Sequence, residues 1–135
     1  TCALPILTNI IRDVREDLEM GRIYLPQDEM ARFGYSEEDL RNGVRNQAFM
    51  DLMRFQSQRA RGYFDRGFKL LPYLSRRSRA CPAVLGVLYS KVLDRIEASD
   101  YDILESTVSL SKAEKIKITA QTWLGSMLPL SPPFR

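Results

Sequence analysis

The most informative part of this sequence is Asn9–Asp17, Asn-Ile-Ile-Arg-Asp-Val-Arg-Glu-Asp, followed closely by Gly21–Pro26, Gly-Arg-Ile-Tyr-Leu-Pro. At about 100° per residue of an α-helix, Asn9, Asp13 and Asp17 lie on one face, within about 80° of each other. The apolar residues of the segment fall on the opposite face: Leu7, Ile10, Ile11, Val14 and Leu18. The sequence therefore predicts a helix with one buried side and one strip of oxygen ligands.

Two carboxylates one helical turn apart suit a divalent cation. Mg²⁺ prefers oxygen ligands, usually takes one or two carboxylates, and leaves its other positions to water and phosphate. Asp13 and Asp17 are spaced for this role, with the amide of Asn9 beside them. Arg12 and Arg22 can pair with phosphate oxygens through the two-point contact typical of guanidinium groups. The alternative is the solvated face of an amphipathic helix, where like charges one turn apart repel mildly.

The composition excludes several classes of function. A length of 135 residues predicts one domain, and 27% charged residues are ordinary for a globular protein. A net charge of +3, with the arginines spread along the chain, gives no support to nucleic-acid binding. The chain has no histidine, which excludes His-based zinc sites and Ser-His or Cys-His nucleophile pairs.

The cysteines and the hydropathy pattern bear on location. Cys2 and Cys81 have no metal-type spacing. A disulfide between them is one alternative, and we expect instead buried or partly buried free thiols in a reducing compartment. No apolar run approaches the roughly 20 residues that a membrane-spanning helix needs. No signal-peptide pattern is present.

The apolar pattern is helical almost throughout, without the alternation typical of strands. The predicted helices are Leu4–Met20, Gln27–Phe33, Ser36 to about Gly43, Gln47–Leu71, Ser75–Ser99 and Ser111 to about Leu128. Residues 22–27 are predicted to be extended, residues 100–110 irregular, and residues 130–133 a tail. The long fourth helix should bury one face, made of Phe49, Leu52, Met53, Gln56, Ala60, Tyr63, Phe64 and Phe68.

Several residues mark where these helices begin and end. Gly21 is placed as a helix C-cap, and Pro26 blocks a helix through the following segment. Ser36 and Ser111 each precede an acidic residue by three positions, which predicts two capping boxes. Pro82 is expected near the start or at a kink of the fifth helix.

The quoted motif resembles the second aspartate-rich signature of the squalene and phytoene synthase family. The similarity runs from about Leu7 to about Met127. Outside the motif, the sequence is more similar to the phytoene synthase branch than to eukaryotic squalene synthases. The further stretches that resemble the family are Gln27–Glu29, Phe33–Tyr35, Gln56 with Gln58–Arg61, and Leu93–Ala98 with Asp100–Asp102. The resemblance implies an all-α chain, part of a single-domain α-helical isoprenoid synthase fold in which a helical barrel surrounds a central cavity.

Family members are longer and carry a first aspartate-rich motif on an earlier helix. The resemblance therefore implies that residues 1–135 are the C-terminal portion of one such domain, with no separate second domain. The missing N-terminal half of the same enzyme would be its partner. We expect this chain alone to be inactive, because half of a barrel exposes a large apolar wall.

The resemblance also implies roles for individual residues. Asp13 and Asp17 are the expected catalytic metal ligands, with Asn9 assisting, and the cofactor would be Mg²⁺, or Mn²⁺ as an alternative. The residues implied to bind substrate diphosphate are Arg12, Arg22, Arg59 and Tyr89. Tyr89 is thus also a catalytic candidate.

Two of these residues have structural alternatives. Arg59 could instead cap a neighbouring helix or form a surface ion pair. Tyr89 could be a core aromatic residue whose hydroxyl is satisfied locally. The sequence leaves both alternatives open.

The reaction implied is head-to-head condensation of two prenyl diphosphates, with phytoene from two geranylgeranyl diphosphates preferred. The alternatives use farnesyl diphosphate and give squalene, dehydrosqualene or presqualene diphosphate, and NADPH is needed only by a squalene-type member. A hypothesis of another class is a non-catalytic helical homologue or subunit. The location implied is the cytoplasm or the plastid stroma, without a nucleic-acid partner.

The last predicted helix and two departures from the family pattern qualify this interpretation. Lys112, Lys115 and Lys117 lie beside apolar residues, so this helix either contacts a membrane peripherally or docks as an ordinary terminal helix. Ile6 stands where the family usually has glutamine. Glu105–Thr107 stands where it usually has arginines that help to hold diphosphate.

Overall fold

The structure is a computed structural model that describes residues 3–128, with side chains from residue 5 onward. Cys2 and the predicted tail at 130–133 lie outside the described residues. The helices are α1 (Ala3–Arg12), α2 (Val14–Glu19), α3 (Gln27–Arg32), α4 (Glu37–Arg41), α5 (Gln47–Leu70), α6 (Arg76–Ala98) and α7 (Lys112–Met127), with a 3₁₀ turn at Leu71–Tyr73. The described part of the chain contains no strand, which confirms the all-α prediction.

The first predicted helix, Leu4–Met20, is interrupted at Asp13, so the prediction of one continuous helix was wrong. Asp13 has φ −98° and ψ 18°, although hydrogen bonds of 2.8 Å from Asp13 N to Asn9 O and from Asp17 N to Asp13 O bridge the interruption. Neighbouring side chains do not face each other on a regular helix. Arg12 and Asp13 nevertheless form a two-point ion pair, and the change of backbone angles accompanies that contact.

The structure confirms most of the predicted helix starts, and side-chain caps define several of them. Ser36 and Ser111 both form complete capping boxes, with Asp39 and Glu114 respectively. The side chain of Asn46 accepts a 3.0 Å hydrogen bond from Phe49 N and begins α5. These devices are local in sequence, so tertiary packing does not change them.

One prediction for the buried face of α5 was wrong. Tyr63 is 40% exposed, and the guanidinium carbon of Arg66 lies 4.6 Å from its ring centroid. At this level α6 packs instead on the edge of α5 that carries Phe64 and Phe68. Gly86 of α6 lies so close to Phe68 that an added Cβ would be 2.7 Å from the ring.

The fifth predicted helix is continuous as α6, with Ser75 as its N-cap. Pro82 lies inside α6 rather than at its start. Because proline has no backbone N–H, α6 lacks one intrahelical hydrogen bond at this position. The segment 100–110 is irregular as expected, and Asp100 and Tyr101 both have positive φ. Arg45 Nη2 donates a 2.6 Å hydrogen bond to Asp100 O and holds this turn.

The core lies where α1, α5 and α6 pack against one another, and α7 packs along α6. Its fully buried members include Ile11 of α1, Phe49 and Leu52 of α5, and Leu93 and Ile96 of α6. Ile11 is on the apolar side of the first motif. Burial of that side turns the opposite side, with the candidate ligands, away from the core.

Candidate functional site

The motif helices keep the three predicted oxygen ligands on the polar side. Asn9 and Asp17 are half-buried, and the side chain of Asp13 is 28% exposed. The Oδ1 atom of Asn9 is buried and has no hydrogen-bond partner among the described residues. An acceptor left in this state costs free energy unless a ligand completes it.

Asp13 is held by its neighbour Arg12. Arg12 Nε donates to Asp13 Oδ1 at 2.5 Å, and Arg12 Nη2 donates to Asp13 Oδ2 at 2.7 Å. The hydrogen bond to Asp13 raises the pKa of Arg12, against the opposing effect of burial, and the nearby Tyr89 hydroxyl raises it further. The structure therefore pairs Arg12 with Asp13, and Tyr89 lies near enough to act on the Arg12 guanidinium.

Asp17 and Arg22 are brought together by the end of α2. Gly21, with φ +72°, donates from N to Leu18 O at 2.9 Å, and Arg22 N donates to Asp17 O at 2.8 Å. These two bonds form a Schellman motif, which a residue at positive φ completes. The chain reversal at Gly21 thus fixes the backbone of Arg22 next to that of Asp17.

The charges around Asp17 favour a cation. Burial is the largest cause that raises the pKa of the Asp17 carboxyl, followed by the negative charge of Asp13, while the positive charge of Arg22 lowers it. Two carboxylates that repel each other are stabilised when a positive ion lies between them. A crevice of about 10 Å³, lined by Asp17, Arg22 and the side chains of Ile10 and Ile23, adjoins this region.

These residues fit part of a magnesium site. The unpartnered Oδ1 of Asn9 and the carboxylates of Asp13 and Asp17 are the ligand types that Mg²⁺ takes. Within residues 3–128, no three acidic, cysteine or histidine side chains are grouped so as to hold a metal by themselves. Substrate phosphate, water or other groups would have to supply the remaining ligands.

Arg59 lies in a different network. Its guanidinium forms an ion pair with Glu29 of α3, and Gln56 Nε2 donates to Glu29 Oε2 at 2.5 Å. The hydrogen bond from Arg59 is the largest cause that lowers the pKa of Glu29. The guanidinium also lies 4.8 Å from the ring centroid of Phe55. Of the alternatives for Arg59, the ion pair is present, and its described hydrogen bonds do not reach the aspartates.

Glu29 is the partner of Arg59, and the sequence analysis did not predict this role. It belonged to a stretch that resembled the family, but no role was predicted for it. A usable signal was Gln56, a polar side chain on an apolar helix face, which needs a partner when buried. Gln56 is 2% exposed, and Glu29 is that partner.

Tyr89 lies at the boundary between the core and the polar side of α1. Its ring is half-buried and packs against the core cluster. Its hydroxyl lies close enough to Arg12 to affect the pKa of that guanidinium. The residue thus joins the core to the polar side of α1.

The segment Glu105–Thr107, which departs from the family pattern, contacts α2. Arg15 Nη1 donates to Glu105 O at 3.1 Å, and Thr107 Oγ1 donates to Glu16 Oε1 at 2.9 Å. This segment supports the motif helix from outside without adding a positive charge.

None of the helices described between residues 3 and 128 combines the length and the apolar character that crossing a membrane requires.

Comparison with known proteins gives a consistent result. The model of the family described as squalene/phytoene synthase matches residues 6–114. The 15-cis-phytoene synthase of Synechocystis sp. is 41% identical over 118 residues, which cover 87% of this chain and 35% of that protein. Phytoene synthase 2, chloroplastic, of Solanum lycopersicum is 42% identical over 123 residues, covering 91% of this chain and 40% of that protein.

A solved structure extends the comparison to the fold. The crystal structure of a dehydrosqualene synthase in complex with ligand superimposes with a TM-score of 0.77 at 26% identity. The match covers 91% of this chain and 44% of that chain. This chain spans only 35% and 40% of the two sequence relatives. The fold predicted from the resemblance is confirmed.

Proposed function

This chain belongs to the squalene/phytoene synthase family, and we propose that its Asn9–Arg22 segment binds Mg²⁺ and prenyl diphosphate for a head-to-head condensation. The observation that carries the proposal is the unpartnered, buried Oδ1 of Asn9 on the same helical face as Asp13 and Asp17. The product we propose is phytoene, made from two geranylgeranyl diphosphates. Relatives named phytoene synthases are 41% and 42% identical to this chain, against 26% for the dehydrosqualene synthase.

The residues of this segment would have separate roles toward the cation and the diphosphate. Asp13, Asp17 and Asn9 would hold the cation, and Asp13 would give up its contact with Arg12 to do so. The released guanidinium of Arg12 then pairs with diphosphate oxygens, in the two-point geometry it already offers to Asp13. Bound Mg²⁺ supplies Lewis-acid assistance to the departure of the leaving group.

Arg22 and Tyr89 orient the same group. Arg22 is held next to Asp17 by its backbone, which leaves its exposed side chain available to phosphate. The Tyr89 hydroxyl would donate a hydrogen bond to a diphosphate oxygen. Arg59 does not contact the diphosphate in this proposal, because its guanidinium already forms an ion pair with Glu29.

The proposal also covers location and cofactor. We propose a plastid or cytoplasmic location, which the chloroplastic relative of Solanum lycopersicum supports. Mn²⁺ would replace Mg²⁺ with the same ligands, and NADPH would serve only a squalene-type reaction. Because the chain covers about a third of its relatives, we expect residues 1–135 alone to give no hydrocarbon product.

The experiment is turnover of labelled C15 and C20 prenyl diphosphates with Mg²⁺, with analysis of the extracted hydrocarbon. It compares residues 1–135 with the full-length protein that contains them. Phytoene from the C20 substrate supports the proposal, and a C15-derived product would move it to the squalene-type branch. No Mg²⁺-dependent binding of either diphosphate would favour the non-catalytic alternative.

A further inference from the structure

Arg61 of α5 connects that helix to α6 through several hydrogen bonds. Its Nη2 atom donates to Asp94 Oδ1 at 2.7 Å and to Glu97 Oε2 at 2.6 Å, and its Nη1 atom donates to Ser90 Oγ at 3.2 Å. A further bond of 3.3 Å joins Arg61 Nε to Glu97 Oε1. One guanidinium therefore contacts three side chains of the neighbouring helix.

The three acceptors form a polar stripe beside the buried face of α6. At about 100° per residue, Ser90, Asp94 and Glu97 lie within about 60° of each other. Tyr89 and Ile96 lie on the adjoining face, roughly 100° from the centre of the stripe. Ile96 is fully buried, and the Tyr89 ring is half-buried against the same core. The stripe and the tyrosine thus turn together when α6 rotates.

Hydrogen bonds define the rotation of a helix more sharply than apolar burial does. Burial of apolar surface is non-directional, whereas a hydrogen bond weakens steeply when its length or angle changes. A helix with its side chains is about 10–12 Å wide, so a rotation of about 15° moves a side-chain tip by roughly 1.5 Å. That displacement exceeds the range of about 0.5 Å over which hydrogen-bond lengths vary.

The contacts of Arg61 contribute little to stability, so their main consequence is geometric. The side chains of Arg61 and Glu97 are each 33% exposed, and that of Asp94 is 42% exposed. Partly exposed ion pairs usually contribute less than about 1 kcal/mol. Asp94 also has Lys91 of α6 as a partner at 3.2 Å, so the balance of its charge does not require Arg61.

We propose that Arg61 is a positioning residue, which sets the rotation of α6 and thereby the place of the Tyr89 hydroxyl relative to the diphosphate. This inference rests on the proposed function, in which Tyr89 donates a hydrogen bond to a diphosphate oxygen. The described hydrogen bonds of Arg61 reach α6 side chains other than Tyr89, so Arg61 acts through the helix. Because α1, which carries Arg12, packs against α6, the same rotation also sets the distance from Tyr89 to Arg12.

The first measurement uses the full-length protein without ligand. NMR of protein labelled with ¹³C at the tyrosine ring carbon Cζ reports the surroundings of each hydroxyl, and Tyr89→Phe identifies the Tyr89 signal. Arg61→Gln should shift this signal, and Arg61→Lys should shift it less, because an ammonium can keep one of the two carboxylate contacts. Lys91→Gln should leave it in place, because it removes a positive charge beside Asp94 without removing a contact to α5.

The second measurement is a double-mutant cycle on the binding of geranylgeranyl diphosphate with Mg²⁺. Tyr89→Phe should weaken binding about tenfold, the effect of one lost hydrogen bond to a charged group. Arg61→Gln should weaken it about fivefold, and the double variant about tenfold rather than about 50-fold, because both changes remove the same contact.

Arg95→Gln is the matched control, since Arg95 ties the same helix to Glu114 of α7 through an ion pair of similar exposure. Its loss of stability in urea should resemble that of Arg61→Gln, whereas diphosphate binding should change by less than about twofold. If Arg61→Gln loses helical circular dichroism, Arg61→Lys replaces it in both measurements.

Two results would overturn the inference: an unshifted Tyr89 signal in Arg61→Gln, and losses of affinity that multiply in the double variant. An equal loss of binding in Arg95→Gln would also overturn it, because any loosening of α6 would then suffice. Absence of Mg²⁺-dependent binding in the parent protein would contradict the proposed function instead. The Tyr89 signal alone would then decide whether Arg61 places that side chain.

Discussion

Arg12 and Asp13 are sequence neighbours that hold each other through two hydrogen bonds, at 2.5 and 2.7 Å, where the motif helix is interrupted. The contact engages the Asp13 carboxylate, which the proposed metal site needs. It also engages the Arg12 guanidinium, which the proposed diphosphate site needs. In the proposed mechanism ligand binding would separate the pair, so each of the two sites competes with it.

This competition gives Arg12→Gln a specific signature. Removal of the guanidinium frees Asp13, so the affinity for Mg²⁺ alone should rise about fivefold, the equivalent of one partly exposed ion pair. The affinity for diphosphate in the presence of Mg²⁺ should fall, because a phosphate contact is lost. Titration calorimetry of the full-length protein measures both.

The control for this variant is Arg41→Gln, which removes an exposed arginine that pairs with Glu37 on the same helix, away from the motif. It should leave both affinities unchanged. If Arg12→Gln binds Mg²⁺ no better than the parent protein, the pair does not compete with the metal.

Asn9→Leu should separate stability from function. The Oδ1 atom of Asn9 is buried without a partner in the described structure, so an apolar side chain of similar size should stabilise the metal-free protein by about 1 kcal/mol. The same change should weaken Mg²⁺ binding. Urea unfolding with and without Mg²⁺ measures both effects, and a clear destabilisation of the metal-free protein would show that Oδ1 has a structural role.

Gly21→Ala should disturb the position of Arg22. The residue has φ +72° within a Schellman motif, so an alanine there should lower the free energy of unfolding by about 1 kcal/mol. Diphosphate binding should weaken as well, because the backbone bond from Arg22 N to Asp17 O depends on this turn.

Gly62→Ala is the matched control, since Gly62 lies inside α5 and an added Cβ would come no closer than 3.8 Å to Arg66. This substitution should raise the free energy of unfolding by about 0.5–1 kcal/mol and leave binding unchanged. If Gly21→Ala and Gly62→Ala changed stability and diphosphate binding equally, the turn at Gly21 would have no special role in positioning Arg22.

The Glu29–Arg59 pair should make stability depend on pH in the acid range. Arg59 lowers the pKa of Glu29 below its ordinary value of 4.5, so the stabilisation is fully present above that value. It is lost as the pH falls through the lowered pKa of the folded protein. At neutral pH, Glu29→Gln should cost about 1 kcal/mol, a modest figure because Arg59 is partly exposed.

Acid unfolding monitored by circular dichroism measures this dependence. The parent protein should lose stability below about pH 4.5 more steeply than Glu29→Gln. The control is Glu37→Gln, which removes a carboxylate from an exposed pair with Arg41. Identical acid profiles of the parent protein and Glu29→Gln would mean that the pair contributes nothing.

The sequence predicted those features that depend on nearby residues. The capping boxes at Ser36 and Ser111, the start of α5 after Asn46 and the helix end at Gly21 each need only residues within one or two turns. The ligand face of the first helix was predicted from the position of its apolar side. Ile11 and Val14 on that apolar side are buried in the structure.

Features that depend on distant packing were not predictable in the same way. The interruption at Asp13 accompanies a particular side-chain contact rather than a breaker residue. The exposure of Tyr63 depends on which edge of α5 meets α6. The partner of Arg59 comes from α3, 30 positions earlier, so no periodicity within one helix could identify Glu29.

The most direct measurement compares binding and turnover of geranylgeranyl diphosphate, with and without Mg²⁺, in the full-length protein and in Asp13→Asn and Asp17→Asn. We expect binding that requires Mg²⁺ in the parent protein, and a loss of turnover of about 100-fold or more in each variant with unchanged helical circular dichroism. Binding that is equally strong without Mg²⁺, or turnover that both variants retain, would contradict a magnesium–diphosphate site on this helix.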